Sequence, residues 1–248
     1  MTEVTCDDFL GGRVRVWQPR CGYRAGLDPV LLAASVPARA GQSVLELGCG
    51  VGVASLCLMQ RVAGVRATGL EIQPDYAELA RRNAVLNNVA FSVVTGDLRV
   101  LPDELRQQQF DHVIANPPYF RREAGTAATD PGRDMALGGN TSLKSWVEVA
   151  AKRCRPRGQV TFIQRIERLP ELMSAMNEVL GSLEVLPLIP REGRAPQLAL
   201  IRGRKGGRAE FRLHPGLLVH PGQRHQDGGT DYTPTLQAVL REGAALPF

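Results

Sequence analysis

Val44-Leu45-Glu46-Leu47-Gly48-Cys49-Gly50-Val51-Gly52 joins a short apolar run to glycines at every second position, and a helical pattern begins directly behind it. A short run of this kind suits a strand buried on both faces of a parallel sheet. Alternating glycines let the backbone take conformations closed to other residues and approach a ligand that a Cβ would exclude. Strand, glycine turn and helix in that order put a ligand loop at the carboxyl end of a strand, where open α/β sheets bind. The spacing is not the dinucleotide fingerprint, whose third glycine would fall at Val53. Nor does a Gly-Lys-Ser/Thr follow, as a Walker loop requires.

Outward from this loop the alternation repeats. Residues 44–47, 65–70, 90–94, 111–115, 159–163, 183–188 and 197–201 read as strands, and 28–36, 52–63, 75–87, 141–153 and 169–180 carry apolar residues at helical spacing. Pro74 and Pro170 suit first helical turns, Asn140 or Thr141 can cap the third long helix, and Gly158 and Gly181 follow helix ends. Residues 12–24 read as a hairpin. The expectation is an α/β fold in one domain over 1–248: a Rossmann-like, seven-stranded, mostly parallel sheet with helices on both faces. One antiparallel strand, 197–201, should lie near the edge, because the link through Pro190, Gly193 and Pro196 is too short for a helical crossover.

Composition narrows the function. The 248 residues hold five cysteines with no C-x-x-C pair, which argues for reduced thiols rather than a disulfide frame or zinc site. His214, His220 and His225 lie in a Gly/Pro-rich stretch without a cysteine partner, so no metal is expected. No window is apolar enough for a membrane span or secretory leader, which predicts a soluble, cytoplasmic chain. The formal charge of +5 is mild, but Arg191, Arg194, Arg202, Arg204, Lys205, Arg208, Arg212 and Arg224 face only Glu192 and Glu210 within their stretch. A polyanion is the partner such a run would attract, and a solvated basic face is the alternative.

Further acidic and polar signals fall at strand ends. Glu71 closes the second strand about twenty residues past the glycine loop, where a carboxylate can take both hydroxyls of a ribose. Asp97 and Leu98 follow the third, where a carboxylate can accept from an exocyclic amine. Together they describe a nucleoside cradle. Asn116-Pro117-Pro118-Tyr119 follows the fourth strand, and its two prolines make a stiff loop. A conjugated amine is a poor nucleophile until its N–H bonds are held out of the ring's conjugation. The Asn116 side-chain oxygen and the Pro117 carbonyl can accept from those bonds, while Tyr119 stacks on the base.

These motifs, in this order, resemble the class I S-adenosylmethionine-dependent methyltransferases of flat amines. More narrowly, the chain resembles the bacterial tRNA adenine-N6 methyltransferases that modify the purine next to the anticodon of a valine tRNA. The likeness includes the segment from Gly22 to Ala33, residues Asn116 to Phe120, Arg133 to Ala136, and the tail with His220 and Asp231-Tyr-Thr233. It implies that an extension over about 1–40, hairpin then helix, closes over the methionine end of the cofactor. The implied cofactor residues are Arg24, Gly26, Leu27, Asp28, Glu46, Gly48, Cys49, Gly50, Gly52, Glu71, Ile72, Asp97, Leu98 and Asn116. Asn116, Pro117, Pro118 and Tyr119 are the catalytic candidates; Tyr119, Phe120, Arg121, Arg122 and Arg133 are the substrate candidates. The glycine-rich segment 121–140 reads as a substrate loop. S-adenosylmethionine is the expected cofactor, tRNA the expected partner and a monomer the expected state.

Competing readings are a glutamine-N5 methyltransferase of release factors, an rRNA or DNA amine methyltransferase, and a catalytically silent RNA-binding protein. The first carries a helical domain ahead of the cofactor loop, whereas only about 45 residues precede it here; sequence-specific DNA would call for a separate reading domain.

Overall fold

The computed structural model describes residues 3–119, 141–222, 231–246 and 248. Phe120, Arg121, Arg122, Arg133 and the rest of the expected substrate loop, with Arg224 and His225, lie outside them.

The buried apolar runs become β3 (Ser43–Leu47), β4 (Arg66–Glu71), β5 (Phe91–Thr95), β6 (Phe110–Ala115), β7 (Cys154–Arg165), β8 (Gly181–Ile189) and β9 (Leu198–Arg204). Their order across the sheet is β8-β9-β7-β6-β3-β4-β5, and β9 runs antiparallel to both neighbours. The seven long strands, one of them antiparallel, thus stand as expected. Two short strands, β10 (Arg212–Leu213) and β11 (Leu217–Leu218), extend the sheet by pairing with β8, so this sheet has nine strands among the described residues. Two-residue pairings carry no periodicity, which is why the sequence does not announce them.

Helices α1 (Leu27–Ser35), α2 (Val53–Arg61) and α3 (Pro74–Leu86) cover one face; α4 (Leu143–Arg153) and α5 (Leu169–Val179) cover the other. Strand residues alternate between the two cores. Val44 and Ile114 pack with Leu31, Leu32 and Leu56, whereas Leu45, Leu47, Val113 and Ala115 pack with Leu143, Trp146 and Met176. This is why the strands read as continuous apolar runs. Pro74 and Pro170 sit in first helical turns as expected. The cap of α4 is Ser142, whose oxygen accepts from the Ser145 N–H at 3.1 Å, not Asn140 or Thr141. Gly158 lies inside β7, which pairs from Cys154 onward, so it does not mark the helix end.

The hairpin also differs from the reading. It is β1 (Val4–Phe9) and β2 (Val14–Pro19), joined by a turn in which Leu10, Gly11 and Gly12 all have positive φ. Residues 12–24 hold only its second strand, because β1 carries Asp7 and Asp8 and lacks an apolar alternation. Asn83 and Asn87 of α3 tie the hairpin down: the Asn83 oxygen accepts from the Trp17 N–H at 2.8 Å and the Asn87 oxygen from the Arg15 N–H at 2.9 Å. The C-terminal turn Ala238–Glu242 packs against α1, and the Leu246 N–H donates to the Ala34 carbonyl at 2.9 Å. Among the described residues no helix is long and apolar enough to cross a membrane.

Candidate active site

The parallel strands end together, and their carboxyl edge gathers most of the residues singled out in the sequence. Gly48, Gly50 and Gly52 all have positive φ, at 64°, 54° and 92°. They serve different ends. A Cβ on Gly48 would lie 2.6 Å from the Trp146 ring, and one on Gly52 would lie 2.7 Å from the Phe91 ring, whereas one on Gly50 would meet nothing within 4 Å. Gly48 and Gly52 are therefore demanded by packing, and Gly50 has open space at its Cβ position. Cys49 and Val51 are buried in the core.

Two buried carboxylates brace the loop. Glu46 Oε2 accepts from the Ser55 N–H at 3.0 Å and from the Ser55 hydroxyl at 2.5 Å. Burial pushes its carboxyl up to about 7, against the lowering effect of those bonds and with the nearby Glu71 adding to the rise. Glu71 accepts from the Gly50 N–H and the Gln73 N–H, at 2.8 and 2.9 Å, and burial raises its pKa as well. Each carboxylate oxygen can accept a second bond, so Glu71 keeps capacity for a diol. Beside it Ile72 is 46% exposed, an unusual position for isoleucine and a fit for the flat face of a base. Leu98 is buried next along. Asp97 is clasped by Arg99, whose Nε and guanidinium reach it at 2.9 and 2.6 Å, and this pairing holds its pKa down.

At the end of β6, Asn116 lies beside this loop. Its Nδ2 donates to the Tyr23 hydroxyl at 3.4 Å, while its Oδ1 is buried with no partner among the described residues. An orphaned buried acceptor costs about 1 to 3 kcal/mol, so one held beside a ligand space points to a missing donor. The Pro117 carbonyl accepts from Gln164 Nε2 at 3.3 Å and retains a second lone pair. The Pro118 carbonyl accepts from Arg168 at 3.2 Å. The Tyr119 hydroxyl donates to Asp28 Oδ2, and the Arg165 guanidinium lies 5.5 Å from the Tyr119 ring centroid. Burial first, then the Asp28 charge, raises the Tyr119 pKa; burial likewise raises that of Asp28, against Tyr119 and Arg165.

The N-terminal extension thus reaches the Asn116–Tyr119 loop through Tyr23 and Asp28. Arg24 points elsewhere: it pairs with Asp7 at 2.5 Å and donates to Thr5 Oγ1 and the Pro19 carbonyl, which fixes the hairpin. Gly26 precedes α1 with open space at its Cβ position, and Leu27 opens the helix. Sequence reasoning missed Tyr23 as a distinct contact, together with Gln164, Arg165 and Arg168. Gln164 and Arg165 end β7 and Arg168 ends the turn that follows it; tracing that strand to its carboxyl end and one turn beyond would have found them.

The basic run of residues 191–212 does not form one face. Arg191 is buried against Asp231 at 3.0 Å, and Arg202 is buried against Glu184 at 3.1 Å with its guanidinium over the Phe248 ring. Arg204 ends β9 in register with Gln159 of β7 and with Gly181 at the amino end of β8, away from Asn116. His214 bonds Glu184 and His220 bonds the Asp231 carbonyl.

Known proteins resemble this chain in sequence and fold. The family model of the methyltransferase small domain matches residues 26–187. A tRNA1(Val) (adenine(37)-N6)-methyltransferase of Haemophilus influenzae is 29% identical over 232 residues, covering 91% of this chain and 93% of that protein. One of the same name from Porphyromonas gingivalis is 33% identical, over 67% and 68% of the two chains. The crystal structure of a predicted O-methyltransferase from Agrobacterium tumefaciens superposes with a TM-score of 0.71 at 25% identity, covering 88% of this chain and 98% of that one. A T. thermophilus 16S rRNA N2 methyltransferase in complex with AdoMet and guanosine shares the fold, with TM-score 0.56 and 19% identity over 82% and 50% of the chains. The chain belongs to the methyltransferase small domain family of S-adenosylmethionine-dependent methyltransferases.

Proposed function

We propose that this enzyme methylates the N6 amine of an adenine in tRNA, next to the anticodon. The observation that carries the reading is the buried Oδ1 of Asn116, without a partner among the described residues, beside the open space at Gly50. The names of relatives that align over most of the chain supply the substrate.

S-adenosylmethionine supplies an electrophilic methyl group, and Gly50, Glu71, Ile72 and Leu98 are the residues fitted to hold it. The chain's own task is to prepare the amine. Asn116 Oδ1 and the free lone pair of the Pro117 carbonyl accept its two N–H bonds and turn the nitrogen lone pair out of the ring. Because Tyr23 engages Nδ2 of the same amide, the oxygen is the atom left to face the amine. Positive charge then develops on nitrogen between two fixed dipoles, which need no reorganisation. Tyr119, held by Asp28 and flanked by Arg165, presents its ring to the base. The high pKa of Tyr119 suits a hydrogen-bonding and stacking role rather than that of a base. The amine's proton leaves after transfer, when the nitrogen is acidic enough to lose it to water.

The test is transfer of a labelled methyl group from S-adenosylmethionine to bulk tRNA, followed by nucleoside analysis. N6-methyladenosine is the expected product. Label in a release-factor glutamine, or in guanosine alone, would overturn the assignment.

A further inference from the structure

The amino edge of the sheet, opposite the candidate active site, carries a surface that the reaction does not use. Leaving β9, residues 204–212 wrap around the start of β8. A Cβ on Gly181 would clash with the Gly207 carbonyl, and the Ala209 N–H donates to Ser182 Oγ at 2.9 Å. Arg157 of β7 adjoins this run, its N–H donating to the Lys205 carbonyl at 3.0 Å. Arg157, Arg204, Arg208 and Arg212 are exposed, and their side chains form no ion pair or hydrogen bond among the described residues.

The neighbouring acids are otherwise engaged. Asp111 is held by Arg155, Glu178 by Lys144, and Glu184 by Arg202 and His214. That leaves Glu210 against four guanidinium groups. In the same run Phe211 is 52% exposed, and with Met173, Asn177, Leu183 and Arg208 it lines a shallow groove of about 260 Å³.

Uncompensated guanidinium groups favour phosphates, which they can bind in bidentate fashion. An exposed aromatic ring among them is a platform for an unstacked base, and an amide such as Asn177 can read a base edge. A partner protein would have to be strongly acidic to match this surface; RNA meets both the charge and the ring. The distance also argues for a separate contact. Six strand steps lead from Arg204 to Leu198 at the site edge, about 20 Å, which is twice the screening length of about 10 Å at 0.1 M salt. These charges therefore serve another part of the RNA than the base at Asn116.

We infer that the amino edge is a second tRNA contact, resting on the tRNA reading above. One nucleotide outside the anticodon arm stacks on Phe211, and phosphates around it lie on Arg204, Arg208 and Arg212. Full-length tRNA1(Val) transcript and its isolated anticodon stem-loop are the two probes. Against full-length tRNA, the variant Arg204→Ala/Arg208→Ala/Arg212→Ala should bind at least tenfold more weakly, with its log K against log salt slope reduced by about 2. Phe211→Ala should weaken the same binding about tenfold, and Phe211→Tyr should restore it. Stem-loop affinity and methylation should match wild type in every variant.

Full-length binding that is unchanged, or a loss shared equally by the stem-loop, would overturn the inference. If wild type methylates neither RNA, the functional reading fails, and the binding comparison still decides this surface. Should the triple variant unfold, the Phe211 pair is sufficient alone, since that side chain is half in solvent.

Discussion

The glycine loop after β3 and the Asn116–Tyr119 loop after β6 end neighbouring strands, yet they are held in different ways. The glycine loop is braced from nearby in its own βαβ unit and core. Glu46 bonds Ser55, Glu71 bonds Gly50, and Phe91 and Trp146 fill the space beside Gly52 and Gly48. The amine loop is braced from far away. Tyr23 and Asp28 come from the N-terminal extension, Gln164 from the end of β7 and Arg168 from the turn after it. On the proposed reading, cofactor binding and amine activation are therefore separable: damage to one loop should spare the other's task.

The most severe test of that separation is Asn116→Ala. It removes the acceptor that matters when charge develops on nitrogen, so kcat should fall by about 100-fold to 1,000-fold. Cofactor affinity by titration calorimetry should stay within about threefold, and an equal loss in both would merge the two loops into one unit. Next in size is Gly52→Ala. Its positive φ costs a side chain about 1 to 2 kcal/mol, and the clash with Phe91 adds about 1 to 3, so thermal unfolding should drop sharply. Gly50→Ala meets no such clash. It should lose the φ term alone in stability, about 1 to 2 kcal/mol, while losing cofactor affinity disproportionately.

The same contrast explains what the sequence reveals. Local bracing leaves local signals. Glu46, the alternating glycines and Glu71 stand at spacings fixed by one strand-turn-helix-strand unit, and the central strands such as β3 and β6 are legible because burial on both faces makes them almost wholly apolar. Long-range bracing leaves none. Nothing in Tyr23 or Gln164 says that it ends beside residue 116, because that contact is made by the order of strands and by the path of the extension. The basic run of 191–212 misleads for a related reason. An antiparallel strand carries its C-terminal end away from the site, and two of its charges, Arg191 and Arg202, are consumed by Asp231 and Glu184.

Glu46 offers a test on the cofactor side alone. Its folded pKa, about 7, lies above its ordinary value of 4.5. Between those values the folded protein holds a proton that the unfolded chain has released, so stability falls as pH rises through that window and is flat above it. The effect is at most about 3 kcal/mol, given about 1.4 kcal/mol for each pH unit. Glu46→Gln can still accept from Ser55 and carries no charge to desolvate. Its unfolding temperature relative to wild type should rise from pH 5 to pH 8, and a constant difference would show that the carboxyl titrates normally.

The mildest change probes the other loop. Tyr23→Phe keeps the ring and removes the hydroxyl that engages Asn116 Nδ2. Without it the amide can turn over and present its N–H₂ to the target amine, a donor where an acceptor is needed. About a tenfold loss in kcat corresponds to about 1.4 kcal/mol, the scale of one net hydrogen bond. KM for tRNA and the affinity for S-adenosylmethionine should hold. A structural role for Tyr23 would produce a rate loss too, so the decisive measurement is a double-mutant cycle with Asn116→Asp. A carboxylate has two equivalent oxygens and no wrong orientation. In that background, whatever its own rate, Tyr23→Phe should cost less than about twofold. An equal penalty in both backgrounds would mean that Tyr23 supports the loop without orienting the amide.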